Sequence, residues 1–369
     1  MRAARGLDEM GGTVKVLAGL ASAVWIVAAG NAVGQTAGAA CSAPKEVQGF
    51  LTCADVEAAK KEGVVVLYAP AGQAQQLAVL KEFNKLFPEI KTQSIWAQTG
   101  SLFAKVEQEV KTNNTLVDVL VLSDPTLLND MQKAKTIAQY NSPELKGYAD
   151  PHMQSTPPGF WTSWGLVATA IVYNTTTIGP NPPQGWKDLT DQRFAGRRAS
   201  LKNTTSGLQF AQWKTLADLY GEDYWTKGIA ALKPIAFDSF TQQFDRLVAG
   251  SDLVAINGQI SGAMQYIEKG APFKIVYPKD GVPATLEGVS VVSSAPHPQA
   301  ARLLTDYLLS KKGQTAIVGI MQYFSSRTDV DPPKNSGAPS DVKFLVPDWA
   351  QVASARKTFE KDWAIVLGK

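Results

Sequence analysis

The chain has 369 residues, 45% hydrophobic and 19% charged, and its 36 basic against 33 acidic residues leave a net charge of +3. That is a folded composition long enough for two ordinary domains. It holds no long run of one sign and no basic stripe with interleaved aromatics, which argues against a nucleic-acid surface, and two histidines with two cysteines leave little for a histidine-rich metal site or a Cys–His catalytic pair.

The first forty residues differ in kind. Arg2, Arg5 and Lys15 precede VLAGLASAVWIVAAG, an apolar run of signal-core length rather than membrane-span length. AGAA at 37–40 offers an A-x-A cleavage site, and Met10 is an alternative start that would shorten the leader. Residues 1–40 therefore read as a signal peptide, with a membrane anchor as the alternative. Export would place Cys41 and Cys53 in an oxidising compartment, which favours a disulfide between them. The competing reading is a lipidated Cys41, although GAA lacks the large aliphatic residue expected three positions before such a cysteine.

From residue 60 onward a unit repeats. GVVVLYAP is a buried strand, a continuous apolar run ending at Pro70. AGQAQQ leads into Leu77, Leu80, Phe83, Leu86 and Phe87, a helical face that stops at Pro88. A strand over 90–96, the loop QTGS, a helix with Leu102, Val106 and Val110 on one face, and the buried strand LVDVLVLSD follow. Such alternation predicts a parallel-rich sheet flanked by helices. The grammar returns in RASLK, NTTSG and a helix over 208–220, then in KPIAF, Asp238-Ser239 and a helix carrying Phe240, Phe244, Leu247 and Val248. DLVAING, QISGAMQYIEKG and FKIVYP complete the second block. Between the blocks, SWGLVATAIVYNTTTIGPNPPQGW supplies a strand and a connecting loop. LEGVSVVSSAPHPQAARLLTDYLLSKKGQTAI adds a late strand and a helix whose first turn tolerates Pro298.

Ligands of open α/β sheets gather beyond the carboxyl ends of the strands. APAGQ, QTGS, NTTSG and INGQ all fall at that edge, each able to offer backbone N–H groups and a hydroxyl or amide at a helix start, where the dipole favours an anion. One such loop alone reads first as a helix cap. Four of them, spread over two blocks, point to a small-molecule cleft with NTTSG as one jaw.

In this order, VVVLYAP, TGSLFAKV, DVLVLSD, AIVYN, GWKDLTDQRFAGR, TSGLQFAQW, SDLVAING, EKGAPFKIVYP and APHPQAARLLTDYLLSKKGQTAI resemble the periplasmic solute-binding proteins of ABC importers, especially the branch containing the ferric-iron-binding proteins. The resemblance implies a type II periplasmic binding protein fold: an α/β protein of two lobes, 60–165 plus 283–325 and 166–282 plus 326–369, joined by crossing hinge strands. Iron-binding members carry a histidine or tyrosine after the first strand, a carboxylate after the DV strand and adjacent tyrosines after the second lobe's strand, all donors that suit a hard ferric ion. Here Ala71, Gly72 and Gln73 occupy the first position, and Asp124 matches the carboxylate. Gln259 and Ile260 stand where the tyrosines would be, and Val167 and Thr169 where an anion-holding arginine would be. An organic or oxyanion ligand follows from that set, with ferric iron as the alternative.

The expected lining is Gln73, Thr99, Gly100, Ser101, Asp124, Trp164, Thr205, Ser206, Gly207, Asn257 and Gln259, rich in hydroxyls and amides and poor in charge. Asp124 could accept hydroxyl or ammonium protons, or cap a helix begun at Pro125. Trp161 and Trp164 could stack on a ring, with core packing the alternative for Trp161. Arg327 reads as an interlobe salt bridge before a ligand contact. A hydrolase using Ser206 would need a base; His152 has no evident partner, and His297, between two prolines, reads as a surface residue. The expectation is a monomeric, non-enzymatic periplasmic receptor without cofactor or metal. It captures a small polar or anionic organic solute by closure and hands it to an ABC permease in the inner membrane.

Overall fold

The computed structural model describes residues 41, 43–70, 72–196, 198–201, 207–339, 342–349 and 352–368. The expected signal peptide and two expected cleft residues, Thr205 and Ser206, lie outside that set, as do Ala71 and most of NTTSG.

A small hairpin, β1 (Lys45–Val47) and β2 (Phe50–Thr52), precedes α1 (Val56–Glu62). The anticipated alternation follows as β3 (Val64–Ala69), α2 (Gln73–Leu86), β4 (Lys91–Trp96), α3 (Thr99–Lys111), β5 (Val119–Leu122), α4 (Pro125–Ala134) and the two-residue β6 (Ile137–Ala138). The long β7 (Thr162–Asn174) leads to β8 (Arg198–Leu201), α5 (Gly207–Tyr220), β9 (Ile235–Phe237), α6 (Phe240–Val248), β10 (Val254–Gln259), α7 (Ile260–Glu268) and β11 (Phe273–Val276). The second long strand, β12 (Val282–Val292), is followed by α8 (Pro298–Leu309), α9 (Lys311–Met321), β13 (Phe344–Leu345) and α10 (Arg356–Val366).

Local chemistry accounts for the boundaries. Pro88 stops α2, whose Val79, Leu80 and Phe83 are buried. Leu77, expected on that face, is exposed, because Gln76 takes the inward position one residue earlier and Leu77 lies about 100° further round. Val248 of α6 is exposed as well. The single late helix is two: Ser310 ends α8 and its hydroxyl accepts from the Gly313 amide at 3.0 Å, starting α9. A Cβ on Gly313 would collide with the Tyr307 carbonyl oxygen, so only glycine lets the helices fold back so tightly. Gln314, the next residue, donates to the carbonyls of Trp164 at 2.7 Å and Leu308 at 2.8 Å, pinning β7.

The sheet runs β4-β3-β5-β12-β7-β10-β8-β9, with β11 also on β7 and with β6 and β13 on β12. β3, β4 and β5 pair in parallel, as do β8, β9 and β10. The two parallel sets meet through β7 and β12, which are antiparallel. β7 pairs with β12 through Ala168 and with β10 from Thr169 onward, so one continuous strand belongs to both halves. Both long strands are almost wholly buried, and the described residues fall within one compact unit. α10 returns to the second half, where Phe359 packs its ring 5.4 Å from Phe210 and Trp363 lies 5.6 Å from Trp225. Cys41 and Cys53 are joined as a disulfide, with Cα atoms 5.8 Å apart.

Candidate functional site

A cleft of about 660 Å³ lies between the halves, at the carboxyl ends of the strands. The first half contributes Pro70, Gly72 and Gln73 after β3, Trp96, Gln98, Thr99 and Gly100 after β4, and Ser123 after β5. Facing them are Leu208 and Gln209 of α5, Asp238, Ser239 and Phe240 after β9, and Gln259, Ser261 and Tyr266 after β10. The floor is built by Val167 of β7, Thr285 and Glu287 of β12, and Tyr323 beyond α9.

Among the described residues, APAGQ, QTGS and INGQ border this cleft; most of NTTSG lies outside that set. QTGS is less a loop than a helix start, since α3 begins at Thr99. Of the helices entering the cleft, α6 is capped by Ser239, whose hydroxyl accepts from the Gln242 amide at 3.2 Å, whereas α2, α3 and α7 begin at Gly72, Gln98 and Gln259 without any side-chain cap. By contrast, α1, α4 and α9 are capped by Asp55, Asp124 and Ser310. Uncapped first turns leave N–H donors for water or a ligand, in a field that favours an acceptor.

Gln73, Thr99, Gly100 and Gln259 line the cleft as expected candidates. Thr99 shares a 2.7 Å hydroxyl bond with Ser123, holding two strand ends together. Five other candidates sit elsewhere. Ser101 is exposed outside the cleft lining, one helical step round from Gly100. Asp124 is buried at 3% exposure; one oxygen accepts from the Thr126 amide at 3.1 Å and from its hydroxyl at 2.5 Å, and the other is ion-paired with Arg356. It caps α4 and ties it to α10. Trp164 is fully buried, its indole donating to Glu287 at 2.9 Å, so it supports the floor rather than stacking on a solute. Asn257 is buried behind the wall, accepting from Gln243 at 2.9 Å. Gly207 permits close approach: a Cβ there would collide with the Ser123 carbonyl, so the start of α5 abuts the opposite half.

Three residues outside the expected lining also find their places. Trp161 is packed in rather than open for stacking, donating to Asn129 at 2.9 Å beside a separate 270 Å³ cavity that His152 also lines. Arg327 is an ion-pair residue, meeting Glu144 at 3.0 Å and Asp329 at 2.8 Å. His297 is a correction, because it is no free surface group: its ring and its backbone amide both engage the fully buried Asp118, at 3.0 and 2.8 Å.

Sequence reasoning missed the centre of the floor. Glu287 is the one charged residue of VPATLEGVSVV, a charge inside an apolar strand, which was the available signal. The β12–β7 register shifts between Glu287 and Gly288, an irregularity of the kind that re-aims a side chain. Its carboxyl accepts from Trp164 and from the Tyr323 hydroxyl, yet burial outweighs both and pushes its pKa up to about 7. Burial and the neighbouring Glu287 hold the Tyr323 hydroxyl well above its ordinary range. Gln209 is fully buried, and among the described residues neither of its amide atoms has a partner. Trp96, half exposed and anchored to the Pro70 carbonyl at 3.0 Å, forms part of the wall. Among the described lining residues Asp238 and Glu287 carry charge, with no lysine or arginine. Tyr266 is committed to Asp245 at 2.6 Å, and burial with that bond pushes its pKa up to about 12. Among the described residues no three His, Cys, Asp or Glu side chains gather as a metal cluster, and no helix is long and apolar enough to cross a membrane.

Residues 114–355 match the family of bacterial extracellular solute-binding proteins. An uncharacterized protein of Haemophilus influenzae is 25% identical over 271 residues, 69% of this chain and 75% of that one. A Salmonella typhimurium periplasmic protein named for 2-aminoethylphosphonate binding is 24% identical over 259 residues, 65% of this chain and 73% of the other. Among solved structures, the periplasmic binding protein AfuA of Actinobacillus pleuropneumoniae, with fructose-6-phosphate bound, gives a TM-score of 0.70 at 23% identity, covering 83% of this chain and 99% of that one. Iron-bound HitA of Pseudomonas aeruginosa gives 0.69 at 22% identity, covering 81% and 99%. These structural likenesses establish the type II periplasmic binding protein fold. With its family match spanning most of the chain, the protein belongs to the bacterial extracellular solute-binding proteins, the ligand-capturing components of ABC importers.

Proposed function

We propose that the chain is a monomeric periplasmic receptor that holds a small polar organic solute in the interlobe cleft and delivers it to an inner-membrane permease. The observation that carries this reading is the cleft itself: polar turns from both halves face one gap over a floor made by the strands that join them. A solute bridging Gln98–Gly100 and Gln259–Ser261 would touch both sides, so the closed arrangement would bind it better and gain population. The lobes that move are 60–165 with 283–325 and 166–282 with 326–369, pivoting on β7 and β12. The uncapped starts of α2, α3 and α7 suit an acceptor such as a carboxylate or phosphonate. Cleavage of residues 1–40 would leave Cys41 near the new N-terminus, held by its bond to Cys53.

The test is native mass spectrometry of freshly purified protein, followed by calorimetry of the stripped protein with the molecule released. One solute per chain, bound saturably and returned chemically unchanged, is expected. A chemically altered product would point to an enzyme. A tinted protein releasing ferric iron would favour the iron reading. An empty protein that binds no candidate solute would sink the receptor.

A further inference from the structure

Resting on the receptor reading above, we infer that the solute carries a protonated amine, seated on the Glu287 carboxylate at the cleft floor and held from the facing wall by the Gln209 amide. A carboxylate at 4% exposure ordinarily has a basic partner. The described residues give Glu287 the Trp164 indole and the Tyr323 hydroxyl, two neutral donors, and no lysine or arginine. Neutral donors satisfy lone pairs without supplying opposite charge, and in a low-dielectric floor that difference is large. An ammonium brought by the solute supplies it; a second anion at the same place would be repelled.

Gln209 adds an independent sign. It has no exposed surface, it lines the cleft, and among the described residues neither Oε1 nor Nε2 has a hydrogen-bond partner. Unmet buried amides are rare in native proteins. Here Oε1 is free to accept an ammonium proton and Nε2 to donate to an oxygen of the same molecule. The three uncapped helix starts lie in the same cleft and suit that oxygen-bearing end. The cleft therefore fits a zwitterion, cation on the floor and acceptor toward the helix starts.

The test is calorimetry of the stripped full chain with matched pairs that differ by one amine: 2-aminoethylphosphonate against ethylphosphonate, β-alanine against propionate, and glucosamine 6-phosphate against glucose 6-phosphate. At least one amine-bearing member is expected to bind ten-fold or more tighter than its partner. Glu287→Gln should erase that preference by weakening the amine-bearing member without weakening its amine-free partner, and Glu287→Asp should keep its sign. A merely structural Glu287 would weaken both members alike. Equal binding within every pair, or a preference that survives Glu287→Gln, overturns the amine and leaves the receptor standing. Ferric citrate binding in place of every pair also overturns it. If no probe binds and the fresh protein releases no solute, the receptor reading fails with it.

Discussion

Asp124 and Glu287 are both buried carboxylates near the cleft, at 3% and 4% exposure, and they do opposite things. Asp124 is saturated from within: it caps α4 through Thr126 and pairs with the guanidinium of Arg356. Glu287 has two neutral donors and no cation among the described residues. A carboxylate whose charge is already met by the chain is part of the scaffold. One whose directional bonds are made but whose charge is unmet is positioned for something that arrives. Sequence position alone reverses the two, because Asp124 sits at a strand end, where ligands are expected, and Glu287 inside an apolar strand.

The largest effect should come from breaking the scaffold side of this pair. Arg356→Met leaves Asp124 buried without its cation, and also removes the guanidinium stacked 4.4 Å over Phe210. Loss of about 3 to 4 kcal/mol of unfolding free energy is expected, read by urea denaturation. A loss below about 1 kcal/mol would mean that the helix cap alone satisfies Asp124, and the contrast would dissolve.

Glu287 should respond in the opposite sense. Its folded pKa of about 7 lies above the ordinary 4.5. Its contribution to stability is therefore complete below pH 4.5 and is lost as pH rises through about 7. Glutamine cannot ionise, so Glu287→Gln should match the wild type near pH 4.5. At pH 8 it should exceed the wild type by roughly 3 kcal/mol, because each pH unit between the two values contributes about 1.36 kcal/mol. Urea curves at the two pH values decide the point. Equal stability at pH 8 would show that Trp164 and Tyr323 stabilise the anion fully, leaving no unmet charge for an ammonium.

The same contrast explains what was legible in the sequence. Apolar runs closed by proline or small polar turns identify their own elements: β3 ended at Pro70, α2 at Pro88, and α8 begun at Pro298. They also fix which turns meet at the sheet edge, because strand direction follows from the alternation. The fate of a side chain at such a turn depends on partners far along the chain. Asp124 is paired across 232 residues and Trp164 across 123, separations that no local pattern encodes. Ser101 misses the cleft for a simpler reason, since the helix starts at Thr99 and each residue turns about 100°.

Gln209 extends the comparison to a neutral group. Its amide is buried and unmet where Gln314, equally buried, has both amide atoms bonded, to Trp164, Leu308 and Ser325. Replacing Gln209 with leucine removes an unsatisfied polar group at similar volume, so the empty protein should gain about 1 to 2 kcal/mol in thermal or urea unfolding. Gln314→Leu should instead lose stability, since it strands the carbonyls that hold β7. If Gln209→Leu also destabilises, its amide has a structural partner and is not waiting for a solute.

The smallest effect concerns Gly100, in the uncapped first turn of α3. A Cβ added there would meet nothing within 4 Å, and the position lies on the cleft lining. In a helix, alanine is better than glycine by at most about 1 kcal/mol, and less at a first turn, so Gly100→Ala should stabilise the empty protein by about 0.5 kcal/mol. The added methyl group projects into the space a solute's acceptor would need to reach the α3 amides. Affinity for the bound solute should therefore fall although stability rises. A purely structural substitution would not separate the two. If affinity and stability rise together, the start of α3 does not touch the solute, and the acceptor end belongs to α2 or α7 instead.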